Sequence, residues 1–189
     1  MAFTWFPGHM QKALRRIEAD ARLVDLVLLV LDARAPATSR NRTLEQALLR
    51  QGKRLAFVLN KADMADPAVT QAWVRDLRRD RHDAVTVSAK TGEGRGVLVQ
   101  ALHARRKEVL EAARRRGIQD VVLRCMVVGV PNAGKSTLIN KLAGSARAKS
   151  GKHPGVTRGP QWVRLSDGIE LLDTAGVMLP GRLDPERLL

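Results

Sequence analysis

Gly129-Val130-Pro131-Asn132-Ala133-Gly134-Lys135-Ser136 fits the pattern G-x-x-x-x-G-K-[ST]. It lies between an apolar run, Val121 to Val128, and a helical pattern, Lys135 to Leu142. Strand, glycine turn and helix in that order make a phosphate cradle. The backbone N–H groups of such a turn point inward at phosphate oxygens, and the positive end of the following helix points at the same place. Gly129 and Gly134 let the backbone come close, Lys135 reaches the β- and γ-phosphates as a point charge, and the Ser136 hydroxyl holds Mg²⁺. Asn132, Ala133, Gly134, Lys135, Ser136 and Thr137 are therefore the candidate phosphate contacts. The stretch predicts an α/β protein of the P-loop NTPase type, a mostly parallel sheet flanked by helices.

Downstream, residues 144 to 159 are polar, glycine-bearing and free of acidic residues. They end in Pro154-Gly155-Val156-Thr157-Arg158-Gly159, whose Thr157 is placed to complete Mg²⁺ coordination from a switch loop. Trp162 to Leu165 and Ile169 to Leu172 read as a hairpin around Ser166-Asp167-Gly168. The second strand runs into Asp173-Thr174-Ala175-Gly176. D-x-x-G alone is weak, but at the end of a buried strand Asp173 can hold the Mg²⁺ shell and the Gly176 N–H can sense the γ-phosphate.

Upstream, Val24 to Leu31 and Arg54 to Leu59 are continuous apolar runs, the pattern of strands covered on both faces. The first runs into a loop, Asp32-Ala33-Arg34-Ala35-Pro36, and a helix, Asn41 to Arg50. The second ends in Asn60-Lys61-Ala62-Asp63, at the carboxyl end where open α/β sheets bind ligands. This tetrapeptide fits N-K-x-D. The Asp63 carboxylate can accept hydrogen bonds from guanine N1–H and its 2-amino group, which adenine cannot offer. Asn60 can donate to N7 and brace the phosphate loop, while the aliphatic stem of Lys61 can lie on the purine. A helix over Pro67 to Arg79, with Trp73 as a core anchor, and a strand over Ala84 to Val87 lead to Ser88-Ala89-Lys90. There backbone N–H groups would meet the purine O6, with Lys90 beside the ring. A long helix, Gly96 to Arg116, breaks at Gly117 within a connector over 114–120.

With 33 Lys+Arg against 19 Asp+Glu, the 189-residue chain carries a formal charge of +14. Its pI is near 11.2, which points to a polyanionic partner such as RNA. The basic residues are spread along the sequence. A single cysteine, Cys125, lies inside an apolar run, which excludes a disulfide framework and suits a buried thiol. No run of about 18 apolar residues and no secretory layout is present. The expectation is a cytoplasmic monomer with no membrane contact.

Base-reading motifs precede phosphate-reading motifs, the reverse of the order in ordinary small GTPases. The strands still form one sheet if the 114–120 connector joins the usual ends, so the fold is expected to be circularly permuted, with one GTPase domain over 1–189 that includes an N-terminal segment and helix at 1–22. The sequence resembles the YlqF/YawG-type circularly permuted GTPases. The likeness rests on Trp5-Phe6-Pro7-Gly8-His9-Met10, Asp32-Ala33-Arg34-Ala35-Pro36, Asn60 to Asp63, Ser88 to Lys90, Gly129 to Thr137, Pro154 to Gly159 and Asp173 to Gly176.

The resemblance implies a GTPase using GTP/GDP and Mg²⁺ that docks on a late precursor of the large ribosomal subunit and leaves after hydrolysis, slow alone and stimulated by the subunit. Val177 stands where many GTPases carry the glutamine that orients the attacking water. The resemblance thus implies a replacement: His9 within the chain, a K⁺ ion, or ribosomal RNA. Asn132 matches GTPases that place K⁺ between the phosphates, or else only shapes the turn. The family's helical RNA-binding domain after the second switch is expected to be absent or truncated here. Two other readings stay open, an RNA- or ribosome-binding module with negligible hydrolysis and a GTPase of another RNA process such as tRNA modification.

Overall fold

The structure is a computed structural model that describes residues 7–144, 161–165 and 168–174; the side chains of 7–11, 13 and 161 lie outside that description. Its strands are β1 (Leu26–Asp32), β2 (Arg54–Asn60), β3 (Asp83–Thr86), β4 (Leu123–Gly129), β5 (Gln161–Arg164) and β6 (Ile169–Asp173). They form one sheet in the order β3-β2-β1-β4-β6-β5. β5 runs antiparallel to β6, and every other neighbouring pair is parallel. The helices are α1 (Pro7–Ala21), α2 (Pro36–Ser39), α3 (Arg42–Arg50), α4 (Pro67–Arg79), α5 (Arg95–Arg114) and α6 (Lys135–Ala143).

Continuous apolar strands form because both sheet faces are covered. Val27, Leu29 and Leu31 of β1 join Phe57, Leu59, Met126 and Val128 under Ile17 of α1, Leu44 and Leu48 of α3, and Val74 and Leu77 of α4. The alternate residues Leu26, Leu28 and Val30 join Val58, Cys125 and Val127 on the other face, under Leu98 and Leu102 of α5 and Leu138 and Ile139 of α6. Trp73 packs against the first core, as an anchor would. Local chemistry sets the helix starts. The Asn41 Oδ1 accepts from the Leu44 N–H at 2.9 Å at the head of α3, and the Asp66 Oδ1 accepts from the Val69 N–H at 2.9 Å at the head of α4, where Pro67 follows.

Several bounds differ from the sequence reading. The helix read within residues 1–22 runs over Pro7–Ala21, and α2 begins at Pro36, the last residue of the loop read after Asp32. Ser39 closes that short helix by accepting the Asp32 N–H at 3.0 Å and donating to the Ala35 carbonyl at 2.9 Å, a side-chain device with no periodic signature. The third strand starts and ends one residue earlier than its apolar run, and α5 spans Arg95–Arg114 rather than 96–116.

Topology positions the site. From β1 the chain moves outward to β2 and β3, returns through α5 to place β4 beside β1, and then builds β6 and β5 on the far side. The order reverses between β1 and β4, and the crevice outside the carboxyl ends of the strands there is where open α/β sheets take ligands. No helix among the described residues is long and apolar enough to cross a membrane.

Candidate functional site

The phosphate-loop sequence leaves β4 at this crevice. Gly129 lies so close to β1 that a Cβ would run into the Val30 carbonyl, and Gly134, at φ +91°, so close to β2 that a Cβ would meet the Asn60 Nδ2. Asn132 is exposed and adopts a left-handed φ of 64°, a conformation its short amide side chain tolerates. Lys135 is buried, and its Nζ donates to the carbonyls of Gly129 and Val130, each at 2.9 Å. Burial pulls its pKa down, and the negative charge of Asp173 opposes that shift. Ser136 and Thr137 are exposed on the first turn of α6.

Asn60 occupies the centre of the base-reading side. Its amide is buried at the end of β2; the Nδ2 donates to the Ala133 carbonyl at 2.8 Å, and the Oδ1 accepts from the Ala89 N–H at 3.0 Å. One side chain therefore joins the phosphate loop, the Asn60–Asp63 turn and the Ser88–Lys90 turn. The Ala62 N–H adds a bond to the Val87 carbonyl at 3.1 Å, and the Ser88 N–H one to the Glu93 carbonyl at 3.0 Å. Ser88 is itself buried, with its Oγ accepting from the Thr91 N–H at 3.2 Å. The Ser88 and Ala89 N–H groups, read as meeting the purine O6, donate here to the Glu93 carbonyl and the Asn60 Oδ1.

Lys61 stands at φ 65°, left-handed, and its Nζ reaches the Asp32 Oδ2 at 2.8 Å. Arg34 holds the same carboxylate with its Nε on Oδ1 at 2.9 Å and its Nη2 on Oδ2 at 2.8 Å. The Arg34 guanidinium, with Lys61 adding to it, keeps the Asp32 carboxyl well below the usual carboxylate range against the opposing pull of burial. Asp63 and Lys90 are exposed, and neither side chain has a partner among the described residues.

Asp173 reaches the same edge because β6 pairs with β4 in the register Val127↔Asp173. The next residue, Thr174, is buried and donates its Oγ1 to the Val127 carbonyl at 2.6 Å, which fixes the strand end beside the phosphate loop. The sequence reading gave Thr174 no part and quoted Asp32 and Arg34 without a role. A carboxylate at the end of a strand adjacent to N-K-x-D was the available signal for Asp32; Thr174 gave none. Thr157, Gly176 and Val177, together with the side chain of His9, lie outside the described residues.

Comparison with known proteins agrees with this arrangement. Residues 124–187 match the family model described as 50S ribosome-binding GTPase. Ribosome biogenesis GTPase A of Bacillus cereus is 40% identical over 180 residues, covering 95% of this chain and 60% of the relative. The Thermotoga maritima protein of the same name is 38% identical, covering 93% of this chain and 59% of the relative. The crystal structure of GNP-bound YlqF from T. maritima superposes with a TM-score of 0.60 at 33% identity, covering 89% of this chain and 59% of that one. The chain thus spans about 60% of the length of these relatives. With the permuted motif order built into one sheet and these relatives matching 93–95% of its length, the chain is a P-loop GTPase domain similar to the circularly permuted ribosome biogenesis GTPase A proteins.

Proposed function

We propose that the chain binds and hydrolyses GTP as a switch in late assembly of the large ribosomal subunit. The observation that carries this reading is the Asn60 side chain, bonded at once to the loop read as phosphate-binding and the turn read as base-reading. A single ligand with a guanine at one end and phosphates at the other matches the two loops it joins.

In this reading the free, exposed Asp63 carboxylate accepts from guanine N1–H and the 2-amino group, and the Lys61 stem, anchored at its tip by Asp32, supports the purine face. Asn60 has one amide hydrogen left for N7 after serving Ala133. Lys90 supplies the ring's other side and the turn's remaining backbone donor. The backbone of Ala133 and Gly134 and the side chains of Lys135, Ser136 and Thr137 take the phosphates, with the Lys135 ammonium exchanging loop carbonyls for phosphate oxygens.

One hydroxyl, Ser136, and one carboxylate, Asp173, at the same strand edge form a hard oxygen donor set that fits Mg²⁺ held largely through phosphates. When bound, that ion neutralises charge developing on the transferred phosphoryl group. Thr157 would complete the set, Gly176 would sense the γ-phosphate, and His9 is the in-chain candidate for placing water. The exposed Asn132 amide is the candidate for K⁺. The relatives' name, ribosome biogenesis GTPase A, supports a ribosomal partner, and the family description, 50S ribosome-binding GTPase, supports the large subunit precursor.

Co-sedimentation with large ribosomal subunits, in a non-hydrolysable GTP analogue and in GDP, tests the switch. Retention in the GTP-like state and release in GDP is the expected result. Equal retention in both contradicts a switch and leaves a binding module.

A further inference from the structure

The two ends of the sheet differ in charge. At the carboxyl ends several cations face carboxylates: Lys61 and Arg34 share Asp32, and Arg40 pairs with Glu45 at 2.9 Å, while Arg42 and Lys90 are exposed there with no ion pair among the described residues. At the opposite end, where the parallel strands begin and α1, α3, α4 and α5 finish, arginines accumulate. Arg22, Arg50, Arg81, Arg114, Arg115 and Arg116 are exposed there, and none has a side-chain partner among the described residues. Several carboxylates of this end are committed. Asp25 accepts the Arg124 N–H at 2.9 Å, Asp120 holds Arg106 at 2.7 Å, and Glu170 lies between Arg124 and Arg164 at 3.5 and 3.0 Å. Asp83 faces Arg54 at 3.6 Å and Asp20 faces Arg16 at 4.0 Å, so Glu18, Asp80, Glu111 and Asp25, whose bond to an amide leaves its charge uncancelled, remain to offset the six arginines. Charges scattered in sequence are gathered in space because every crossover returns to the same edge.

We propose that this end of the sheet, remote from the nucleotide crevice, is a docking surface for the phosphate backbone of a structured RNA. The choice of RNA as the polyanion rests on the ribosomal reading above and on the chemistry of the surface. Guanidinium forks match phosphate oxygens in pairs, and unpaired ones sacrifice no ion pair on binding. Arg50 and Arg114 sit on the last turns of α3 and α5, and Arg22, Arg81, Arg115 and Arg116 lie within two residues of a helix end, on the connections into four adjacent strands that span about 14 Å at ~4.8 Å per strand. An anionic bilayer is the poorer match, because the exposed apolar residues here, Leu23, Leu49, Ile118 and Val122, are dispersed over two connections and the end of α3 rather than lined up on one amphipathic helix. Arginines in a last helical turn also favour the helix dipole, but Arg81, Arg115 and Arg116 lie beyond the ends of α4 and α5.

The test compares the 189-residue wild type with the triple variant Arg114→Glu, Arg115→Glu, Arg116→Glu and with a control of equal charge change, Arg15→Glu, Arg16→Glu, Arg42→Glu. Binding of transcribed large-subunit ribosomal RNA is measured across a salt series, beside GTP affinity, Tm and binding to phosphatidylglycerol vesicles. The expected result is an affinity loss of tenfold or more for the first variant alone, with the slope of log K against log salt reduced by about 2 to 3 and GTP affinity unchanged. Equal losses in both variants, a lower Tm without an RNA effect, or vesicle binding in place of RNA binding overturns the proposal. If the wild type binds subunits and the first variant binds them equally, the docking surface fails while the ribosomal reading stands; if the wild type binds neither RNA nor subunits, both fail.

Discussion

The Nδ2 of Asn60 donates to the carbonyl of Ala133 at 2.8 Å, across 73 residues of sequence. That bond ties the loop read as recognising the base to the loop read as binding phosphate, and a permuted chain needs it as much as an ordinary one does. The geometry of the fold, rather than the order of its parts, brings the two together.

Replacing Asn60 with Ala removes both bonds and leaves the Ala133 carbonyl and the Ala89 N–H without their partner in a buried setting. Stability should fall by about 1–3 kcal/mol, read as a lower urea midpoint at constant m-value. Guanine-nucleotide affinity should fall further than stability alone explains. An unchanged midpoint would show that the amide is not the link described.

Asp32→Ala frees Lys61 and Arg34 together. GTP affinity should weaken by about tenfold, as for loss of one positioned contact. The folded-state pKa of Asp32 is depressed, so its contribution to stability is fully present above the ordinary carboxylate pKa of about 3.9 and is lost as pH falls toward the folded value. The stability gap between wild type and variant should therefore be flat at neutral pH and shrink below about pH 4. Paired urea titrations over a pH series read this directly, and a gap that grows in acid would reverse the assignment.

Gly134→Ala places a Cβ against Asn60 at a φ of +91° that only glycine adopts easily. The loop must shift, and nucleotide binding measured by fluorescent-GDP titration should be lost while far-UV circular dichroism is retained. Wild-type affinity in this variant would mean that the loop tolerates displacement.

Thr174→Val deletes the bond to the Val127 carbonyl at 2.6 Å. A loss of about 1–2 kcal/mol is expected, with Thr174→Ser largely restoring it. Thermal unfolding of both variants checks the pair; a stable Thr174→Val beside a destabilised Thr174→Ser would point to the methyl group instead.

Burial pushes the Cys125 thiol far above its ordinary pKa, and the Asp25 charge adds to that shift. Native protein should not react with Ellman's reagent on a timescale of minutes, and one thiol should appear on unfolding. Fast labelling of the native state would place β4 nearer the surface than the fold does.

Much of this was legible in sequence because the strands are buried on both faces and each ends in a motif. Leu26–Asp32, Arg54–Asn60 and Leu123–Gly129 all follow near-continuous apolar runs, which resist misreading. Short elements held by single side chains were not legible: α2 depends on Ser39, and Thr174 latches one strand end with one hydroxyl. The pairing of Lys61 with Asp32 was hidden as well, since it arises from the Asp32↔Asn60 register of two parallel strands rather than from either motif. Likewise the arginines at helix ends read as a diffuse excess until the crossovers assembled them.

Steady-state GTP turnover by the chain, in K⁺ buffer and in matched Na⁺ buffer, with and without purified large ribosomal subunits, tests the central claim most directly. The account predicts slow turnover alone and a large stimulation by subunits that depends on K⁺. Bound GTP with no turnover in any of the four mixtures would contradict the hydrolytic switch and leave a nucleotide-binding, RNA-docking module.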